Sequence, residues 1–286
     1  MYKVGLSTNG KELNEELFIQ YEKAGIYAME LALNDDKYAD LDYDTLKVLA
    51  DSHNVKLWSL HLPFRPTERV NLAAFDETVR NDTIEYYTNI IKKAAKIGIK
   101  IFVVHPNSGE PVEEGDVRTA RIRLVSECLS ILAENAAKEG GVIAVENLPR
   151  SCIARNSVEL LKLLEANDRL RVCYDTNHLM GQDATEFIKA VGEKIITLHV
   201  SDYDFMNERH WLPGEGKNDW QKILKLLKEV GYDGVWLYEV RFACPNTIIR
   251  GRDLSCEDFM KNARELFENK PVTIISKPKE NLGMWG

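Results

Sequence analysis

Short apolar runs in this 286-residue chain keep ending on side chains that bind metals or move protons. "VKLWSLH" ends on His61 and "KIFVVH" on His105, "GVIAVEN" carries Glu146, and "LRVCYD" ends on Asp175. "KIITLHV" carries His199, "GVWLYEV" carries Glu239, and Glu30 in "YAMELAL" is a weaker member of the series. Each of these groups is costly to bury without a partner. Brought to one place, the four carboxylates would face too few cations, and mutual repulsion would raise some of their pKa values. A divalent metal relieves that conflict better than a buried polar network does. Glu146, Asp175, His199 and Glu239 supply hard oxygens and one nitrogen, a set suited to Mn²⁺, Mg²⁺, Co²⁺ or Zn²⁺. A structural zinc site would be richer in cysteine.

The elements that must position these groups alternate along the chain. Strands are predicted at 2–7, 27–33, 55–61, 100–105, 141–147, 170–175, 194–200 and 234–240, rich in Val, Ile, Leu and aromatic residues. Helices fall between them. Ala120, Leu124, Cys128 and Ile131 predict one buried face of a helix over 116–138, and Tyr87, Ile91 and Ala94 do the same for 84–97. Asn156, Asp183 and Asn218 each precede Glu or Gln by three residues, the capping-box pattern. "KIG" and "EVG" read as helix ends closed by Gly98 and Gly231. Such alternation predicts a parallel sheet. A single (β/α)8 barrel over residues 1–270 suits this length better than an open sheet, and its chemistry would gather at the C-terminal strand ends. Residues 271–286 fall outside the repeat, as a tail packing on the barrel or on a second copy in a homo-oligomer. His53 lies on a helix and is expected to be structural.

The net charge of −8 disfavours a general nucleic-acid binder, which needs a basic surface. A 44% hydrophobic content supports a sizeable core. The five cysteines are scattered without a CxxC pair and read as reduced thiols. The opening residues have no signal-peptide apolar region, and no run reaches the ~20 apolar residues of a membrane span. These features predict a cytoplasmic enzyme acting on a small molecule.

"VENLPR", "CYDTNH", "LHVSDYD", "HWLPGEG" and "LYEV" resemble the sugar isomerase/epimerase superfamily of xylose isomerase-like TIM barrels, which also contains the endonuclease IV type of AP endonuclease. The resemblance covers about residues 3–268 and is far less specific for a substrate than for the superfamily. It implies metal ligation by Glu146, Asp175, His199 and Glu239, with Glu146 and Glu239 as the paired acid and base. It places His178 near the substrate. The implied chemistry is isomerisation or epimerisation of a sugar, a sugar phosphate or an inosose through a metal-stabilised enediolate. His61, His105, His178, Arg209, His210 and Trp211 are expected around the substrate. Phe64 and Trp58 are further candidates for an apolar wall, although packing accounts better for Trp58. Arg150 and Lys217 are candidate contacts for an anionic group.

One rival is a multinuclear zinc phosphodiesterase, whose extra ligands would be His61, His105, His178, Glu208 and His210 and whose metal count would reach three. His210 also departs from epimerases that carry an arginine there. Against that rival stand the acidic composition, "HVSDYD" where the endonucleases carry "HLNDSK", and the lack of a basic, aromatic-interleaved loop. A dehydratase-type lyase acting on a keto-inositol would need the same enediolate. A barrel that only binds metal or sugar would not need two opposed glutamates.

Overall fold

The computed structural model describes residues 1–34 and 37–280. Its main sheet contains β1 (Lys3–Ser7), β2 (Ala28–Leu31), β3 (Lys56–His61), β4 (Ile101–Val104), β5 (Val142–Glu146), β6 (Arg171–Asp175), β7 (Ile195–His199) and β8 (Val235–Tyr238). Neighbours pair in chain order and in parallel, and β8 also pairs with β1. A parallel bridge between Val200 and Tyr238 joins the two remaining strand ends. The result is the expected (β/α)8 barrel. Its outer layer is α1 (Glu15–Ala24), α2 (Tyr43–Ser52), α3 (Glu77–Lys96), α4 (Asp116–Lys138), α5 (Ser157–Leu164), α6 (Ala184–Val191), α7 (Trp220–Glu229) and α8 (Cys256–Phe267).

Side chains alternate across each strand, so fixing one inward residue fixes the others. Cys173 packs inside the barrel with Val103 and Ala144. Asp175 and Glu146, two residues further along their strands, therefore point inward at the mouth. Tyr174, between Cys173 and Asp175, points outward and stacks on Phe187 of α6, with ring centroids 5.2 Å apart. Val235 and Leu237 belong to a second interior cluster, which sets Glu239 in the same way.

Helix starts follow the expected chemistry, with one correction. Asn156 and Asp183 cap α5 and α6 by accepting backbone N–H groups. The cap of α7 is Asp219, not Asn218. Asn218 instead donates to the carbonyls of Thr176 and Ser201, joining the loops after β6 and β7. The buried stripe of α4 is also shifted from expectation. Val125, Cys128, Leu129, Leu132, Ala133 and Ala136 face inward, while Ile131 is 48% exposed. On α3, Tyr87, Ile91 and Ala94 are buried as expected.

After β8 a short strand, β9 (Ile248–Arg250), pairs antiparallel with β10 (Ser276–Pro278) in the tail. The described part of the tail thus folds onto its own chain; 281–286 lie outside the described residues. The ribbon also grips the loop after β7. Ser276 donates to Glu215, whose other oxygen accepts from the Leu212 N–H. Gly214 takes a left-handed φ of 97°, and a Cβ there would lie 3.0 Å from Val272. Only glycine admits both the turn and the close approach. Among the described residues, no helix is long and apolar enough to cross a membrane.

Candidate active site

Four donor side chains meet at the C-terminal mouth of the barrel. Glu146, Asp175, His199 and Glu239 each offer an atom within 4.8 Å of the others. His199 Nδ1 lies 3.3 Å from Glu146 Oε2, 3.6 Å from Glu239 Oε2 and 3.9 Å from Asp175 Oδ2. Donors ~2.1 Å from a common ion would stand roughly 3.0–4.2 Å apart. Both Glu146 oxygens, Asp175 Oδ2, His199 Nδ1 and Glu239 Oε2 are buried without a hydrogen-bond partner. Such atoms are costly to leave unpaired. Their convergence, and their hard oxygen-rich chemistry, fit a divalent ion.

The atoms turned away from this point are held. Asp175 Oδ1 accepts from the Asn177 N–H at 2.6 Å. The Asn147 amide brackets the Asp175 backbone, donating to its carbonyl at 3.0 Å and accepting its N–H at 2.8 Å. His199 Nε2 lies 3.0 Å from Glu30 Oε1, and Ser59 donates to Glu30 Oε2 at 2.7 Å. A proton on Nε2 shared with Glu30 leaves the Nδ1 lone pair facing the carboxylates. Glu30 was the weakest member of the sequence series, yet it is fully buried and sets the orientation of His199.

Two further clusters adjoin the first. His61 Nε2 and His105 Nε2 are 3.2 Å apart, and each is 3.3 Å from Glu146 Oε2. His61 Nδ1 is engaged by the Leu62 carbonyl, so its Nε2 faces the site. Burial pushes His105 down to about 4, keeping it neutral, and Phe64 stacks over its ring at 4.4 Å. The third cluster joins His178, Glu208 and His210. Burial disfavours a charged His178, but Asp175, Glu146 and Glu208 outweigh it and hold the imidazolium up to about 10. Its Nδ1 donates to the Asn147 carbonyl at 2.9 Å.

With this geometry in view, comparison with known proteins is decisive for family. The model of the xylose isomerase-like TIM barrel family matches residues 18–257. The chain belongs to this family. An uncharacterised protein of Methanocaldococcus jannaschii, MJ1614, is 26% identical across 80% of this chain and 88% of its own length. Endonuclease 4 of Thermus thermophilus is 31% identical across 46% of this chain and 50% of the enzyme. The crystal structure of a D-tagatose 3-epimerase-like protein superposes with a TM-score of 0.77, covering 93% of this chain and 97% of that one at 22% identity. At that identity the likeness speaks for the fold.

Not every residue expected at this xylose isomerase-like mouth presents its side chain there. The Trp211 indole is 2% exposed and donates to Thr247 at 2.9 Å. The Arg209 guanidinium is buried and paired with Asp204 at 2.8 Å. Between them, His210 takes a left-handed φ of 49°. His210 itself faces Glu239, its Nδ1 lying 3.2 Å from the Glu239 carbonyl. Trp58 packs against the Ala28, Val235 and Leu237 cluster and donates to Thr197. Lys217 is exposed, and His53 lies 2.8 Å from Glu22 on the helical layer. The residues missed by sequence reasoning are Asn147 and Asn177, which brace Asp175. The "EN" and "DTN" spacings were the signal.

Two tests follow from the brace and from burial. Replacing Glu30 with Ala should weaken divalent-metal affinity about 10–100-fold, whereas Gln, which retains a hydrogen-bond partner, should cost much less. Calorimetric metal titration decides the matter, and equal affinity in the Ala variant would remove Glu30 from the site. Burial also pushes Asp175 up to about 6 and Glu239 up to about 7. These raised carboxyls keep their protons until pH passes those values, and an ion must displace them. Metal affinity should therefore climb as pH rises from about 5 to about 8, by up to ~10-fold per unit for each proton displaced. Titration in buffers of different ionisation enthalpy reads the released protons directly.

Proposed function

We propose that this chain is a divalent-metal-dependent isomerase or epimerase of a sugar, sugar phosphate or inosose. The observation that carries the proposal is the convergence of unpartnered donor atoms from Glu146, Asp175, His199 and Glu239 at the barrel mouth. These four residues would hold a divalent ion, which would supply positive charge against the negative charge that develops as a carbon beside a carbonyl loses its proton. Glu146 and Glu239 are the proton-moving groups. One removes the proton from carbon, and the other returns a proton to the opposite face (epimerisation) or to the adjacent carbon (isomerisation). Asn147 and Asn177 hold Asp175, and Glu30 holds His199, so the ring of donors keeps its shape. His61 and His105 border the site with nitrogens facing inward, and Phe64 offers an apolar face beside them.

A second reading has an observation of its own. The His61–His105–Glu146 and His178–Glu208–His210 clusters are where additional metals of a phosphodiesterase would sit. The net charge of −8 weighs against that reading. The deciding experiment is solvent deuterium incorporation into a panel of ketoses and inososes with Mn²⁺, Mg²⁺, Co²⁺ or Zn²⁺, run beside cleavage of abasic-site DNA. Exchange without DNA cleavage supports the proposal; cleavage without exchange overturns it.

A further inference from the structure

We infer that Arg150 is the resident cation of the His178–Glu208–His210 cluster, so that this chain takes at most two metal ions. The inference deepens the proposed function and rests on its metal-dependent mouth. Arg150 leaves the end of β5 in "VENLPR" and reaches across to the loop after β7. Its Nη2 donates to Glu208 Oε1 at 3.0 Å, and its Nη1 donates to Asn207 Oδ1 at 2.5 Å. The same Glu208 oxygen is the one that lies 3.6 Å from His178 Nε2. A third ion held by Glu208 Oε1 and His178 would share that oxygen with the guanidinium.

The other two clusters contain no such competitor. Among the described residues, the ion pairs of Glu146, Asp175 and Glu239 are all to histidines, which lose a proton and become ligands. Arginine cannot do so; its guanidinium stays charged and presents a rigid fork to a carboxylate. Glu208 is therefore already neutralised by a fixed positive charge, and an incoming dication would meet repulsion as well as competition. The Arg150 and Glu208 side chains are 24% and 27% exposed, so the pair lies at the rim of the mouth and not in its floor. Arg150 and His210 both take left-handed backbone, with φ of 55° and 49°. The two loops are bent so that the guanidinium and the imidazole approach Glu208 from different strands.

The test is the number of Zn²⁺ ions held per chain, read by native mass spectrometry and by elemental analysis after desalting. The wild-type chain should saturate at two ions or fewer. Arg150→Gln should take one ion more, and adding His210→Ala to that variant should remove the extra ion. Glu208→Gln in the otherwise unchanged chain should leave the count unaltered, because that carboxylate serves the guanidinium. This arm holds even if Arg150→Gln fails to fold. A third ion in the wild-type chain overturns the inference, as does an unchanged count in folded Arg150→Gln or a lost ion in Glu208→Gln. Three ions in the wild type would leave the metal-dependent mouth standing. No ion in any form would overturn both readings.

Discussion

Replacing Glu239 with Gln is expected to lower the rate of solvent deuterium exchange into substrate about 10³-fold while the protein still folds and still holds metal. Gln keeps the shape of the side chain and one oxygen that can face an ion. It cannot take up or return a proton. Burial sets the Glu239 carboxyl at about 7, with His199 and His210 pulling the other way, so before metal binds it exchanges protons near neutral pH. Metal content must be measured beside the rate, since the substitution also removes a charge from the donor ring. A variant that carries wild-type metal and loses less than tenfold in exchange would show that Glu239 is a ligand alone. Glu146→Gln should behave in the same way if the two carboxylates share the proton work.

Supplying a divalent ion is expected to raise the thermal midpoint by roughly 5–10 °C at an ion concentration of about 100 times Kd. That level of binding contributes about 2.7 kcal/mol, and a chain of this size gains about 2–4 °C per kcal/mol. The physical source is the set of carboxylate and imidazole atoms that converge on one small volume without hydrogen-bond partners. EDTA should reverse the rise, and Asp175→Asn should abolish most of it, because the substitution takes one charged donor from the set of four. A midpoint that does not move with Mn²⁺, Mg²⁺, Co²⁺ or Zn²⁺ would sink the metal assignment. Differential scanning calorimetry with and without chelator makes the measurement.

The donor ring was legible in the sequence because strands obey a strict period. Once a run such as "LRVCYD" is a barrel strand, alternation places Cys173 and Asp175 on one side and Tyr174 on the other. The helix stripes were less legible. Several phases of an apolar pattern fit α4, and the phase through Ala120, Leu124 and Ile131 lies off the buried Val125, Leu129 and Leu132. Loop residues were least legible. Arg209 and Trp211 flank His210 in sequence, but nothing in the residue types announces a left-handed turn at a histidine. Glu30 was undervalued because its partner, His199, lies 169 residues away, and a buried carboxylate is interpretable only when the group opposite it is known. The pairing of β9 with β10 is not legible in the sequence because three-residue strands carry almost no periodic signal.

That last pairing divides the support of the mouth between two parts of the chain. The eight strands carry the donor ring. The loop bearing His210 is fastened from outside the repeat by Ser276 on Glu215 and Val272 against Gly214. A lineage that altered residues 272–278 would shift how that loop sits over the mouth while leaving every barrel strand as it was. Residues 272–278 are therefore expected to tune the seat of that loop without moving any strand that carries a donor.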